Sequence, residues 1–145
     1  MTLLLYALGE AGRFEKPKPA SPWTGVYEAT SPKPMCPQPP APIEYRAMMQ
    51  AKNASEDCLY LNVWKPVGDE IEPNRKRPVM FFIHGGGFAV GTIYSPLVDA
   101  AVIASKGDLI VVAINYRLGP FGFLHGGDVE GNMGLLDQVL GLKWV

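Results

Sequence analysis

No apolar run in this chain approaches the ~20 residues that a bilayer-spanning helix needs. Charge of either sign is not in excess, with 13 Lys and Arg against 14 Asp and Glu. Nothing in that balance points to nucleic acid or an anionic membrane as partner. Histidine and cysteine are scarce, at two residues each, and no metal or cofactor is implied. Internal repeats and low-complexity stretches are missing, which excludes a solenoid. The segment Thr2 to Leu8 is apolar, but no basic residue precedes it and it is short for a signal-peptide core. It reads as a weak signal remnant at best. What remains is a chain of 145 residues, long enough for one small domain with a real core.

The most informative stretch is Val79-Met-Phe-Phe-Ile-His-Gly-Gly-Gly-Phe88. Val79 to Ile83 are apolar without interruption, the pattern of a strand covered on both faces. His84-Gly85-Gly86-Gly87-Phe88 then spells HGGGF, the loop that lipases and esterases use to present backbone N–H groups to an oxyanion. Consecutive glycines let the main chain take positive φ and approach a substrate closely. Aimed at a developing negative charge, such amides supply a large share of catalysis in acyl transfer. A glycine-rich loop that closes a strand, or an anion-binding nest, is the plainer reading of the same residues.

Around this loop the pattern is that of an α/β chain. Nine of the 14 prolines lie between Pro17 and Pro42, so that region is not helical and offers few donors to a sheet. Trp23 to Ala29 is its candidate for a short extended segment, and Pro32 to Pro42 reads as a surface loop. Cys58 to Trp64 alternates well enough for a strand that Lys65-Pro66 ends, and Gly68 to Pro78 reads as an exposed connection. Leu97 to Ala104 has helical spacing, with Val98, Ala101 and Val102 on one face. Leu109 to Ile114 is a second unbroken apolar run, read as a central parallel strand. A last helix spans Leu135 to Val145, with Leu135, Val139 and Leu142 as its apolar stripe and Leu136 and Leu140 beside it. Alternating strands and helices predict a mostly parallel sheet with flanking helices. Ligands in such sheets bind beyond the carboxyl ends of the strands, which is where HGGGF sits.

Cys36 and Cys58 lie either side of Asn53-Ala54-Ser55, the one N-glycosylation sequon in the chain. Two buried free thiols and an unused sequon are the competing reading. Together the signs lean towards an oxidising secretory compartment and a Cys36–Cys58 loop, worth about 3 kcal/mol in the chain-entropy picture.

Four stretches resemble the amino-terminal part of the type-B carboxylesterase and cholinesterase family, whose members have the α/β-hydrolase fold. They are Ser55-Glu-Asp-Cys-Leu-Tyr-Leu-Asn62, the HGGGF loop, Asn115-Tyr-Arg-Leu-Gly119 with Phe121-Gly-Phe-Leu124, and Gly131-Asn-Met-Gly-Leu-Leu-Asp-Gln138. Gly12-Arg-Phe14 and Trp23-Thr-Gly-Val26 are fainter echoes. The likeness runs from Arg13 to Val145 as one partial family domain, with 1–12 atypical. It implies a partial α/β-hydrolase fold with a truncated, mostly parallel sheet. It also implies that Gly86 and Gly87 form part of an oxyanion hole, with His84, Gly85 and Phe88 lining the substrate site. Cys36 and Cys58 match the family's first disulfide, and Asn53 stays a glycosylation candidate. Arg13 is matched to a pairing with Glu56, and Arg117 to one with Asp137. No metal or cofactor is implied, the substrate being a small ester, and the expected location is secreted or on the outer face of a membrane.

The family's G-x-S-x-G elbow is not in the chain: Ser21, Ser31, Ser55, Ser95 and Ser105 all lack the glycine frame. His84 reads as a loop residue lining the site and His125 as a solvated loop residue, neither a general base. The leading expectation is therefore the amino-terminal part of a serine carboxylic-ester hydrolase that supplies the oxyanion loop without the triad and is inactive alone. The alternatives are part of a non-catalytic cholinesterase-like adhesion protein, for which an intact Gly87 is the less natural choice, and a short product with a structural role, a decoy role or none.

Overall fold

The computed structural model describes residues 2–25, 29–40, 53–67 and 75–145, with backbone alone for 2–7. The expectations for Trp23–Ala29, Pro32–Pro42 and Gly68–Pro78 therefore fall partly outside the described residues.

One sheet organises the chain. Its strands are β1 (Thr2–Ala7), β4 (Tyr60–Lys65), β6 (Ile110–Ile114) and β5 (Val79–Ile83), in the spatial order β1-β4-β6-β5. A separate two-stranded ribbon pairs β2 (Gly9–Glu10) with β3 (Lys18–Pro19). The sheet is mixed, where the alternating pattern predicts a mostly parallel one: β1 and β6 both run antiparallel to β4, and only β5 and β6 are parallel. The difference arises at β4, which is antiparallel to both of its neighbours. Thr2 to Ala7, too short for a signal core, pairs along its whole length with β4, from Thr2 opposite Lys65 to Ala7 opposite Tyr60.

Strand β6 lies at the centre because both its faces are apolar. Val112 and Ile114 face a core with Leu8, Leu59, Leu61, Tyr116, Leu118, Leu140 and the two cysteines. Val111 and Ala113 face a second core with Trp64, Ile93, Tyr94, Ala100 and Ala104. The second face is covered by a 3₁₀ turn at Pro96–Val98 and helix α1 (Ala101–Gly107). Asp99 splits the helix expected over 97–104: it is extended, and its carboxylate accepts from Ala101 N–H at 2.9 Å. Val102, assigned by its spacing to the buried face, is exposed, and Ala104 is the buried residue of α1.

Helix α2 (Gly119–Phe123) and helix α3 (Met133–Trp144) lie on the first face. The buried stripe of α3 is Met133, Gly134, Asp137, Leu140 and Gly141, whereas Leu135, Val139 and Leu142, the stripe that hydrophobicity selects, face outward. Close approach decides the orientation. A Cβ on Gly141 would lie 2.8 Å from the Phe81 ring and 3.1 Å from Ile114, and one on Gly134 would lie 2.5 Å from the Arg117 carbonyl oxygen. Two glycines on this face let the helix approach Phe81, Ile114 and the Arg117 carbonyl closely, beside Met133 and Leu140. Strand β5 also departs from expectation. Among the described residues it pairs with β6 alone, and Val79, Met80, Phe82 and Ile83 are exposed because β5 is an edge strand there, with little over its faces.

Arg117 and Asp137 join the end of β6 to α3. The guanidinium donates to both carboxylate oxygens, Nε at 2.9 Å and NH2 at 2.8 Å, and Arg117 N–H adds a bond of 3.0 Å. Its NH1 group donates to the carbonyls of Gly12 and Glu15, so the amino-terminal segment is held by the same side chain. Both partners are buried. A charge in that position is tolerated only while every donor and lone pair is engaged. Arg13 and Glu56 meet in a bidentate contact at the surface, with Arg13 also over the ring of Phe121. Asp137→Ala should lower stability by about 3–5 kcal/mol, read as a shift in the urea midpoint. A loss below ~1 kcal/mol would mean that the pair does not hold the fold.

Candidate active site

Residues that leave the carboxyl ends of β5 and β6 meet side by side, because Ile83 and Ile114 are register partners in the parallel pair. From β5 comes His84 and the glycine loop, and from β6 come Asn115, Tyr116 and Arg117. His84 is buried and stacks on Tyr116, with ring centroids 4.5 Å apart. Tyr116 O–H donates to the His84 carbonyl at 3.1 Å, and His84 Nδ1 lies 2.9 Å from the Gly85 carbonyl oxygen. A neutral imidazole that donates from Nδ1 to a carbonyl is the Nδ1–H tautomer, with Nε2 as an acceptor, and here Nε2 is buried without a partner among the described residues. Burial pushes the His84 pKa down and that of Tyr116 up, because each ring is kept in its uncharged form.

The loop itself closes into a tight turn. The Gly86 carbonyl accepts from both Ala89 N–H and Val90 N–H at 3.1 Å. Gly86 has φ 125° and Gly87 φ 60°, both in the range that favours glycine. A Cβ on Gly86 would sit 1.8 Å from the Val90 carbonyl oxygen, whereas one on Gly85 or Gly87 would meet nothing within 4 Å. Gly86 is thus fixed by the turn, and the space over Gly85 and Gly87 is open. Among the described residues, neither the Gly86 nor the Gly87 N–H is bonded to a protein acceptor. Phe88, also at φ 60°, is about half exposed. Its ring lies 5.1 Å from that of Phe123, and its carbonyl accepts from Gly119 N–H at 2.8 Å.

The exit of the loop is held by side-chain amides that sequence reasoning did not single out. Gln38 brackets Gly91, Asn115 accepts from Ile93 N–H at 3.0 Å, and Asn62 donates to the Ile93 carbonyl at 3.3 Å. The signal was present: Asn62 interrupts an apolar strand and Asn115 follows one directly, positions where an amide is costly unless bonded.

Cys36 and Cys58 form a disulfide with Cα atoms 4.9 Å apart, inside the core beside β4. Asn53 is exposed, and its carbonyl accepts from Met35 N–H. His125 lies on the surface, bonded through Nδ1 to the Glu130 carbonyl. Among the described residues no group of His, Cys, Asp and Glu could hold a metal ion, and no helix is long and apolar enough to cross a membrane.

Two outcomes follow from this geometry. Gly87→Ala should cost about 1–2 kcal/mol, the strain of a left-handed residue in open space. Gly86→Ala should cost more and abolish hydrogen-exchange protection at Ala89 and Val90, since its Cβ occupies the place of the Val90 carbonyl. Equal losses in thermal melts would contradict the turn. The second concerns pH. Because folding lowers the His84 pKa, the unfolded chain takes up the proton first. Stability tied to His84 is fully present above ~6.5 and drains away as pH falls from there through the lowered folded value. His84→Phe should flatten that part of the stability–pH curve, and an unchanged curve would show that His84 does not contribute.

Comparison with known proteins places the chain in a family. The family model described as "Carboxylesterase family" matches residues 7–145. Para-nitrobenzyl esterase of Bacillus subtilis (strain 168) is 44% identical over 137 residues, covering 92% of this chain and 27% of that protein. Neuroligin-2 of Mus musculus is 39% identical over 167 aligned residues, covering 93% of this chain and 20% of the relative. The solved structure titled "THERMOPHYLIC PNB ESTERASE" superposes with a TM-score of 0.85 at 40% identity, over 99% of this chain and 31% of that one. The chain therefore spans less than a third of the length of these proteins. Sequence and fold agree along nearly all of it, and the chain belongs to the carboxylesterase family.

Proposed function

We propose that this chain supplies the oxyanion-binding loop of a serine carboxylic-ester hydrolase. The observation that carries the reading is the pair of amides at Gly86 and Gly87, unbonded to protein among the described residues, at the carboxyl end of β5 and set by a turn that admits no side chain at Gly86. In such a hydrolase a serine hydroxyl attacks the ester carbonyl, a histidine takes its proton, and the carbonyl oxygen becomes an anion in the tetrahedral intermediate. Amides held rigidly beforehand lower that barrier without having to reorganise. His84, kept neutral by burial and locked by Tyr116 and Gly85, orients the start of the loop and is not the base. Phe88 and the open space over Gly85 and Gly87 form one wall of the ester site. The buried disulfide and the exposed sequon at Asn53 support a secreted or extracellular-facing protein.

A cholinesterase-like adhesion protein without turnover is the second reading, favoured by the likeness to Neuroligin-2 at an identity close to that of the esterase. Grafting separates the two. Residues 1–145 are placed in Bacillus subtilis para-nitrobenzyl esterase in exchange for the matched portion, and hydrolysis of a para-nitrobenzyl ester is followed. Activity in the graft is expected, with Gly87→Ala reducing kcat about 10²–10³-fold, and the 145-residue chain by itself should hydrolyse nothing. A folded but inactive graft would favour the adhesion reading. Serine-dependent hydrolysis by the chain alone would overturn the assignment of roles.

A further inference from the structure

Residues 91–93 leave the glycine loop carrying backbone N–H and C=O groups that no strand pairs. Three side-chain amides bond them instead. Gln38 does so twice at one residue: Gly91 N–H donates to its Oε1 at 2.9 Å, and its Nε2 donates to the Gly91 carbonyl at 2.9 Å. This is the reciprocal pattern that a neighbouring strand would offer, made by a side chain. The same Nε2 also donates to the Cys36 carbonyl at 3.1 Å, two residues from Gln38 and within the disulfide-bonded segment. Cys58, at the other end of that bridge, leads directly into β4. Gln38 is therefore mounted on a covalent tie to the sheet, and Asn62 and Asn115, which hold Ile93, are part of the sheet or of its immediate continuation.

Gly91 is also the piece on which the start of the loop rests. A Cβ at Gly91, whose φ is 128°, would lie 2.3 Å from His84 Nδ1 and 2.6 Å from the Gly85 carbonyl oxygen. Val90, its neighbour, donates to the Gly86 carbonyl. No slack separates the exit of the loop from its entrance, so a displacement of Gly91 has to move His84, Gly85 or the turn at Gly86.

We propose that Gln38 is a positioning residue for the oxyanion loop, acting through Gly91 to set the height and tilt of the Gly86 and Gly87 amides. The kinetic half of this rests on the esterase reading above, and the conformational half does not. Gln38 touches no reacting atom in this role. It substitutes for a strand edge at the residue that packs against His84 and Gly85. The two bonds hold the peptides on either side of Gly91.

Hydrogen exchange resolved to single amides tests the conformational half on the 145-residue chain and on the same residues carried in the para-nitrobenzyl esterase graft. Gln38→Met keeps the side-chain length and removes every hydrogen-bonding group, and Gln38→Ala serves as a second variant. Exchange at Gly91, Ala89 and Val90 should quicken at least about tenfold, with Val112 and Ala113 in β6 unchanged. Unaltered protection at Ala89 and Val90 would overturn the proposal, as would a loss spread equally over β6, which would make Gln38 a fold residue rather than a loop residue. In the graft, kcat should fall about tenfold or more with KM within about twofold, since the loop is complementary to the transition state rather than the bound ester. A rise in KM at constant kcat would refute positioning. If the unsubstituted graft hydrolyses nothing, the esterase reading fails, and the exchange result still decides the role of Gln38.

Discussion

Ile83 and Ile114 end two parallel strands at the same level, and the remaining arrangement depends on that register. A shift of one residue would turn Phe81 away from Gly141 and present the other face of β5 to α3. It would also separate His84 from Tyr116, whose stacking and hydroxyl bond fix where the glycine loop begins. The register is maintained by β6, which has an apolar face on each side and satisfies two cores at once. The glycine loop is thus placed by the well-buried β6, although it grows from the largely exposed β5.

Polar groups complete what apolar packing begins. Arg117, Asp137, Asn62, Asn115 and Gln38 bond main-chain groups or one another across segments far apart in sequence, and four of the five are buried. Asn115 and Arg117 stand where the chain leaves β6, Gln38 lies in a segment outside regular structure, and Asn62 within β4 and Asp137 within α3 reach such places from inside their elements. Apolar burial specifies which faces meet, and these side chains specify the path of the connections between them.

Much of this was legible in the residues. The unbroken apolar runs located β5 and β6, HGGGF marked the loop, and four short blocks pointed to a family that the comparisons bear out. The failures share a physical cause. Hydrophobicity selected Leu135, Val139 and Leu142 as the inner face of α3, but contact distance rather than transfer energy governs that interface, and glycine carries no hydrophobic signal. Val79–Ile83 has the composition of a strand covered on both faces, and composition cannot say whether a neighbour is present. The antiparallel pairing of β1 was hidden because Thr2 to Ala7 is apolar with no alternation to show which partner it faces. Gln38 sat unnoticed in a proline-rich stretch since its importance comes from Gly91, 53 residues later.

The free side of β5 has a consequence for the chain in solution. Val79 to Ile83 contains no charge and no proline, its outward backbone groups are unpaired among the described residues, and apolar side chains flank them. Natural edges are usually blunted by lysine, proline or a bulge, and none of these interrupts the strand. Two molecules meeting β5 to β5 can extend each other's sheet, growth that uses the one β5 edge of each. Such growth is at least second order in protein. Dilution, rather than temperature or salt, is then the variable that most directly governs how long the chain persists as single molecules.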